Sequence, residues 1–157
     1  MDEIEIRRFE LEDFDRYKQA YREVFKFELS EGYFRWKHKK NFEEYNHPIV
    51  YVATTKSGRI VGANSFFSET ASHLGKSIKV VQSGDTLVVS DFRGRSLFMS
   101  ILEFAHRDLA QLGVAAVFGF ANDNSVRGFV KQGYASRSNT VFLSFSPTLA
   151  EVAKRAI

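Results

Sequence analysis

The sequence predicts an α/β protein of the α+β kind: one mixed, mostly antiparallel sheet of six to seven strands with helices on both faces. Three observations predict it. Residues 49–54 and 60–67 are apolar, β-rich runs joined by the short Gly-containing loop 55–59, and a third run at 78–89 completes an antiparallel meander. Phe98, Ile101, Leu102, Ala105, Leu109 and Leu112 then recur at spacings of three and four, a helix with one buried face. Beyond it, residues 114–120 are a continuous apolar run. That pattern suits a strand covered on both faces and, across a helical crossover, parallel to the 78–89 strand.

The remaining elements follow in order. Residues 4–9 alternate and read as a first strand. Phe14, Tyr17, Tyr21, Val24 and Phe25 mark a helix with Asp13 as its N-cap. Ser30, Glu31 and Gly32 interrupt it, and a shorter helix is expected from about 32 to 40, then a loop to Pro48. Residues 68–76 read as a second turn region. Within 78–89, Ser83 and Gly84 stand between two apolar halves, and a strand glycine marks a bulge or a close backbone approach. Gly113 is placed for a left-handed cap after the 96–112 helix. A polar turn at 121–125, a short helix at 126–132 ended by Gly133, a strand at 140–145 and a helix at 147–157 complete the chain.

A chain of 157 residues holds one domain with a full core, expected over 1–146 with the 147–157 helix in the same domain. Hydrophobic content of 44% and charged content of 26% are those of an ordinary globular protein. With no Cys there is no disulfide framework, thiolate metal site or cysteine nucleophile. His38, His47, His73 and His106 lack metal-ligand spacing, so no metal is expected and each reads as satisfied or exposed. No nucleophile elbow is present. The acidic N-terminus is no signal peptide, and no apolar run approaches the ~18–20 residues that span a bilayer. The expected location is the cytoplasm, with no membrane partner. The sixteen Phe read mainly as packing mass.

Two stretches carry charge. Residues 35–40 are the densest positive run and hold the only Trp. An anionic ligand beside an aromatic wall is one reading; a solvated helix face with Trp36 turned into the core is the preferred one. The net charge of +3 suits an anionic small ligand as well as nucleic acid. No DNA- or RNA-binding motif is present, so nucleic acid is not the expected partner. The second stretch is the loop 90–95, which feeds Arg93 and Arg95 into the start of the next helix. Unpaired N–H groups and the positive end of the helix dipole bind anions there, and two guanidiniums suit phosphate oxygens. The loop reads as a pyrophosphate site; a solvated basic turn is the plainer alternative.

With these elements the chain resembles the GNAT superfamily of acyl-CoA-dependent N-acyltransferases. Residues 88–98 are similar to its pyrophosphate motif, Q/R-x-x-G-x-G/A, and Asn122 followed eleven residues later by Gly133-Tyr134 is similar to its second motif. The similarity covers roughly residues 4–145. The resemblance implies acetyl-CoA as co-substrate, a small-molecule amine as acceptor, and direct transfer in a ternary complex. It implies that amides of Arg93, Gly94, Arg95, Ser96, Leu97 and Phe98 cradle the diphosphate. Leu87, Val88 and Val89 would pair with pantetheine, one of their amides polarising the thioester carbonyl. Asn122 would lie beside the pantetheine arm, in a slot where the central parallel pair splays.

The chain departs from the family pattern at three points. Ser96 replaces the first motif Gly and Phe98 the final Gly/Ala, and Ser96 could instead act as N-cap. Phe129 stands where many members carry a Tyr that protonates the leaving thiolate, which leaves Ser125, Tyr134, water or an unassisted thiolate. Asp85 and Glu69 are the candidate bases for the amine. The chain is short for the family's final two strands. Two readings stay open: a strand from a second copy, hence a homodimer, or an edge covered by the 147–157 helix. A catalytically weak acyl-CoA-binding or regulatory module is the alternative to an enzyme, and an RNA-associated protein resting on residues 35–40 is a third.

Overall fold

The computed structural model describes residues 3–123 and 125–135. The strand expected at 140–145 and the helix expected at 147–157 lie outside the described residues. The described residues form one five-stranded sheet in sequential order. Its strands are β1 (Ile4–Arg8), β2 (Ile49–Thr55), β3 (Ile60–His73), β4 (Lys76–Val88) and β5 (Ala116–Gly119). The first three pairings are antiparallel and β4 with β5 is parallel. Of the six to seven strands expected, five lie among the described residues, and the one expected at 140–145 does not.

Helices cover both faces. The loop after β1 makes one tight turn at Leu11–Asp13 and enters α1 (Phe14–Phe25). The other helices are α2 (Glu31–Lys37), α3 (Lys39–Tyr45), α4 (Leu97–Gln111) and α5 (Val126–Lys131). On β3, a Cβ added to Gly62 would meet Ile101 of α4 at 2.9 Å, whereas Ser65 meets the Tyr17 hydroxyl of α1 at 3.2 Å. Residues three apart on a strand face opposite sides, so α1 and α4 lie on opposite faces. The core between them includes Tyr17, Val52, Phe66, Leu87, Ile101 and Leu102. After α4, Gly113 is left-handed (φ +76°), its N–H bonds the Ala110 carbonyl, and the Val114 N–H bonds that of Leu109, the cap its position predicts.

Several local expectations are corrected. Asp13 does not cap α1 with its side chain. It is buried and accepts from Arg7 at 2.6 and 2.8 Å, from Arg16 at 2.6 Å and from the Glu10 N–H at 2.9 Å. Burial pushes its carboxyl up, but these donors more than offset that and hold it below its ordinary range. Residues 68–76 are not a turn region: β3 and β4 stay paired out to His73 with Lys76. The two-residue turn Leu74-Gly75 has φ of +50° and +75°, the pattern whose twist matches hairpin strands.

Residues 41–45, expected as loop, belong to the helix Lys39–Tyr45, and buried Asn41 explains its place. β2 begins at Ile49 opposite Phe66, so β3 loses that neighbour beyond Phe66. The Asn41 side chain takes over: Nδ2 donates to the Phe66 carbonyl at 2.6 Å and Oδ1 accepts from the Ser68 N–H at 2.7 Å. That orientation leaves Nδ2 also facing His38 Nδ1 at 3.1 Å, so Nδ1 accepts and the ring proton sits on Nε2.

Protonating His38 would set two donors face to face. Burial, helped by Lys37, pushes its pKa down to about 3. Between that value and an unfolded pKa of ~6.5 the unfolded chain holds a proton the folded chain refuses, so stability falls with pH at ~1.4 kcal/mol per unit. Chemical denaturation should show the wild type losing ~2 kcal/mol more than His38→Gln between pH 6.5 and pH 5.

Candidate active site

The parallel pairing of β4 and β5 runs from Val80–Ala116 to Ser83–Gly119 and stops. β4 continues to Val88, with no strand on that edge among the described residues. The two strands therefore part at Ser83, which opens a slot along residues 84–88. Gly84 sits at the parting point, where an added Cβ would come within 2.9 Å of the Phe67 ring.

A bulge follows at once. Ser65 pairs with Gly84 and Ala63 with Leu87, so Asp85 and Thr86 together oppose Asn64. Asp85 takes a left-handed conformation there (φ +46°). Asn64 is fully buried and holds both sides of the bulge. Its Nδ2 donates to Ser83 Oγ at 3.0 Å, and its Oδ1 accepts from Thr86 Oγ1 at 2.6 Å. The sequence signalled the bulge through Gly84 but gave no sign of Asn64 as its anchor.

The bulge turns the Asp85 carboxylate toward α2, where Lys37 Nζ meets Oδ2 at 2.5 Å. Lys37 also lies over the rings of Phe67 and Tyr33, 5.0 and 5.6 Å from their centroids. Other cations of the 35–40 run are paired as well: Arg35 with Glu31, Lys39 with Glu43 and Lys40 with Glu69. Trp36 is 69% exposed and stacks near Tyr33, so the expectation of a core Trp fails. Helix α2 turns Phe34 inward instead, while Tyr33 and Trp36 lie outward in ring contacts that extend through Phe27 and Tyr21.

Glu69, the other candidate base, is on β3 opposite Val80 rather than in a loop. It lies five residues from Asn64, about 16 Å along the strand at ~3.3 Å per residue. The structure does not bring Glu69 and Asp85 together.

The loop after β4 makes a tight turn at Ser90–Phe92 and enters α4 through Arg93, Gly94, Arg95 and Ser96. Gly94 (φ +75°) and Ser96 (φ +57°) are both left-handed. Among the described residues, none of the N–H groups of residues 94–99 has an acceptor, whereas the Ser100 N–H closes onto the Ser96 carbonyl at 3.1 Å. Alternating conformations of this kind turn successive N–H groups into an anion-binding concavity. Ser96 makes no side-chain cap, contrary to its reading as one. Arg93 Nε donates to the Val88 carbonyl at 3.1 Å, and the Arg95 guanidinium stacks 4.9 Å from the Phe92 ring. Arg59 pairs with Asp91 at 2.8 Å and holds that carboxyl below its ordinary range, so the loop's own carboxylate is neutralised.

A left-handed conformation costs a residue with a side chain ~1–2 kcal/mol. Glycine avoids that cost and loses ~0.4–1 kcal/mol through its freer unfolded chain. Ser96→Gly should therefore raise stability by up to ~1 kcal/mol, read by chemical denaturation.

Phe98 does not fill this turn. Its ring packs edge-on against Phe129 at 5.2 Å and over Gly128, where a Cβ would meet it at 2.7 Å. Phe129 is buried and brings no hydroxyl. The Tyr134 hydroxyl lies 2.6 Å from His106 Nε2, and burial pushes its pKa up to about 12. Burial also lowers the pKa of His106. Ser125 and Asn122 bond each other across the turn into α5, with Ser125 Oγ to Asn122 Oδ1 at 3.0 Å. Leu87 is buried and Val88 half-buried beside the slot. Val89, expected among the strand residues that meet pantetheine, gives its N–H to the Val61 carbonyl and accepts from Phe92, so it has no amide left to offer. Among the described residues, no group of three His, Asp or Glu is placed to hold a metal ion, and no helix is long and apolar enough to cross a membrane.

A mixed sheet whose one parallel pair parts beside an open N–H turn defines a class of fold, and comparison with known proteins agrees. The acetyltransferase (GNAT) domain model matches residues 5–136, and the chain belongs to the GNAT acetyltransferase family. No curated protein matches it in sequence. Among solved structures, it is similar to glucosamine-6-phosphate N-acetyltransferase from Arabidopsis thaliana, with a TM-score of 0.71 and 19% identity over 92% of this chain and 100% of that one. An acetyltransferase of Trypanosoma brucei matches at a TM-score of 0.70 and 18% identity, over 91% and 100% of the two chains. The aminoglycoside enzyme AAC(6')-Iy, in complex with a bisubstrate analogue of CoA, matches at 0.69 and 14% identity, over 92% and 99%.

Proposed function

We propose that this protein is an N-acetyltransferase that moves an acetyl group from acetyl-CoA to the primary amine of a small molecule, by direct attack in a ternary complex. The observation that carries the reading is the unbroken series of N–H groups at 94–99, without acceptors among the described residues, beside Arg93 and Arg95. Such donors suit a diphosphate. Leu87 and Val88 lie on the edge that a pantetheine arm would follow, at the slot where β4 leaves β5. A bound thioester supplies an activated acyl carbon. Asp85, at the bulge beside that slot, accepts the proton that the acceptor ammonium must lose. Tyr134, committed to His106, is the weaker candidate for a proton donor, and Ser125 is tied to Asn122.

The catalytically weak acyl-CoA-binding module has one observation in its favour: Phe129 is buried and offers no proton. Release of free CoA thiol from acetyl-CoA, followed across a panel of amines and amino sugars, tests the two. Thiol release that depends on the amine supports the enzyme. Binding of acetyl-CoA with no amine-dependent release across the panel supports the module.

A further inference from the structure

The acetyl-transfer reading leaves Lys37 unused, yet Lys37 is an amine already seated where an acceptor amine would be received. Its Nζ is 2.5 Å from Asp85 Oδ2, and both side chains are 20% exposed. The ring centroids of Phe67 and Tyr33 lie 5.0 and 5.6 Å from it. A carboxylate and aromatic faces are the groups by which a site holds an ammonium. Lys39 and Lys56 differ in this respect, since their side chains are 75% and 77% exposed in ion pairs with surface glutamates. Asp85 lies two residues from Leu87, about 7 Å along β4 at ~3.3 Å per residue. That span is within the swing of a lysine's four-carbon stem.

We propose that Lys37 is a self-acylation site, which takes the acyl group from a bound acyl-CoA thioester when no acceptor is present. The proposal rests on the reading of this slot as the acyl-CoA site. The Lys37 ammonium gives one proton to Asp85, which passes it to solvent. The neutral Nζ bonds to the acyl carbon and loses its second proton, the carbon–sulfur bond breaks, and the sulfur leaves as the thiol with a proton. One ammonium and one thioester thus become one N-acyl lysine, one thiol and one released proton. The product amide carries no charge, so the Asp85 carboxylate is freed of its partner.

The test uses the full chain incubated with acetyl-CoA and no amine, read by intact mass and peptide mapping. Acetyl-CoA binding is measured first, by calorimetry on the same protein. The proposal predicts one acetyl increment, on Lys37, forming at a rate that saturates with acetyl-CoA and does not depend on protein concentration. Placement beside the thioester should make it at least ~tenfold faster than the modification of Lys39 or Lys56, which should rise linearly with acetyl-CoA. Lys37→Arg keeps a cation against Asp85 and should abolish the increment while acetyl-CoA still binds. Acetyl-CoA that binds while Lys37 stays unmodified, or is modified no faster than Lys39, overturns the proposal alone. Absence of acetyl-CoA binding overturns both it and the reading beneath it.

Discussion

Replacing Asp85 by Asn lowers kcat by about a hundredfold to a thousandfold, the usual loss when a general base is removed, while CoA affinity stays within about twofold of wild type. Asn is the informative substitution because Asp85 is left-handed (φ +46°), a conformation that Asn tolerates and Ala resists. The exchange removes the charge and keeps the shape. Lys37 then loses its carboxylate but keeps the ring faces of Phe67 and Tyr33 and gains the Asn amide oxygen as an acceptor, so the fold should survive. The turn at 94–99, proposed to hold the diphosphate, lies beyond the end of β4, and among the described residues the Asp85 carboxylate bonds Lys37 instead, which is why cofactor affinity is expected to hold. Steady-state kinetics with acetyl-CoA and a responsive amine, paired with calorimetry, separates the two effects. An unchanged kcat would remove Asp85 from the mechanism, and a lost fold would make it a structural carboxylate.

Asn64→Ala should cost ~2–4 kcal/mol of stability and lower kcat as well. Asn64 is fully buried, and its side chain serves Ser83 on one side of the bulge and Thr86 on the other. Truncation leaves a cavity, strands the buried Ser83 hydroxyl and removes the acceptor of the half-buried Thr86 hydroxyl, and an unsatisfied buried group costs ~1–3 kcal/mol. The extra residue of the bulge is what aims Asp85 at α2, so a loosened bulge misplaces the carboxylate even in molecules that stay folded. Denaturant unfolding gives the first quantity and kcat below the unfolding transition gives the second. A variant with wild-type kcat would mean that the bulge holds its shape without Asn64.

The parts of the site built from contiguous chain were legible in the sequence. The 3.6-residue period of Ile101, Leu102, Ala105 and Leu109 located α4, and Gly113 its end, because both signals are local. Arg93 to Ser96 marked the basic turn into α4, and Gly84 a strand irregularity. Partners distant in sequence were not legible. Lys37 and Asp85 are 48 residues apart, and no spacing rule says that a cation on α2 meets a carboxylate in a β4 bulge. Asp13 looked like an N-cap because caps are local, yet Arg7 and Arg16 make it a buried ion centre. Residues 68–76 looked like a turn region because the outer arm of the β3–β4 hairpin leaves the core and needs no apolar face. Residues 41–45 looked like a loop because the reason for their position, the Asn41 amide on the open edge of β3, is a tertiary one.

The amides at 94–99 can be tested by titrating the protein with CoA and, separately, with pantetheine, which carries the thiol arm but no diphosphate. Two charge-assisted hydrogen bonds at ~1.5 kcal/mol each imply that CoA binds at least ~100-fold more tightly than pantetheine. Removing Arg93 by Arg93→Ala should narrow that ratio. Equal affinities for the two ligands, or no detectable heat with millimolar CoA, would contradict the assignment of this turn as the diphosphate site.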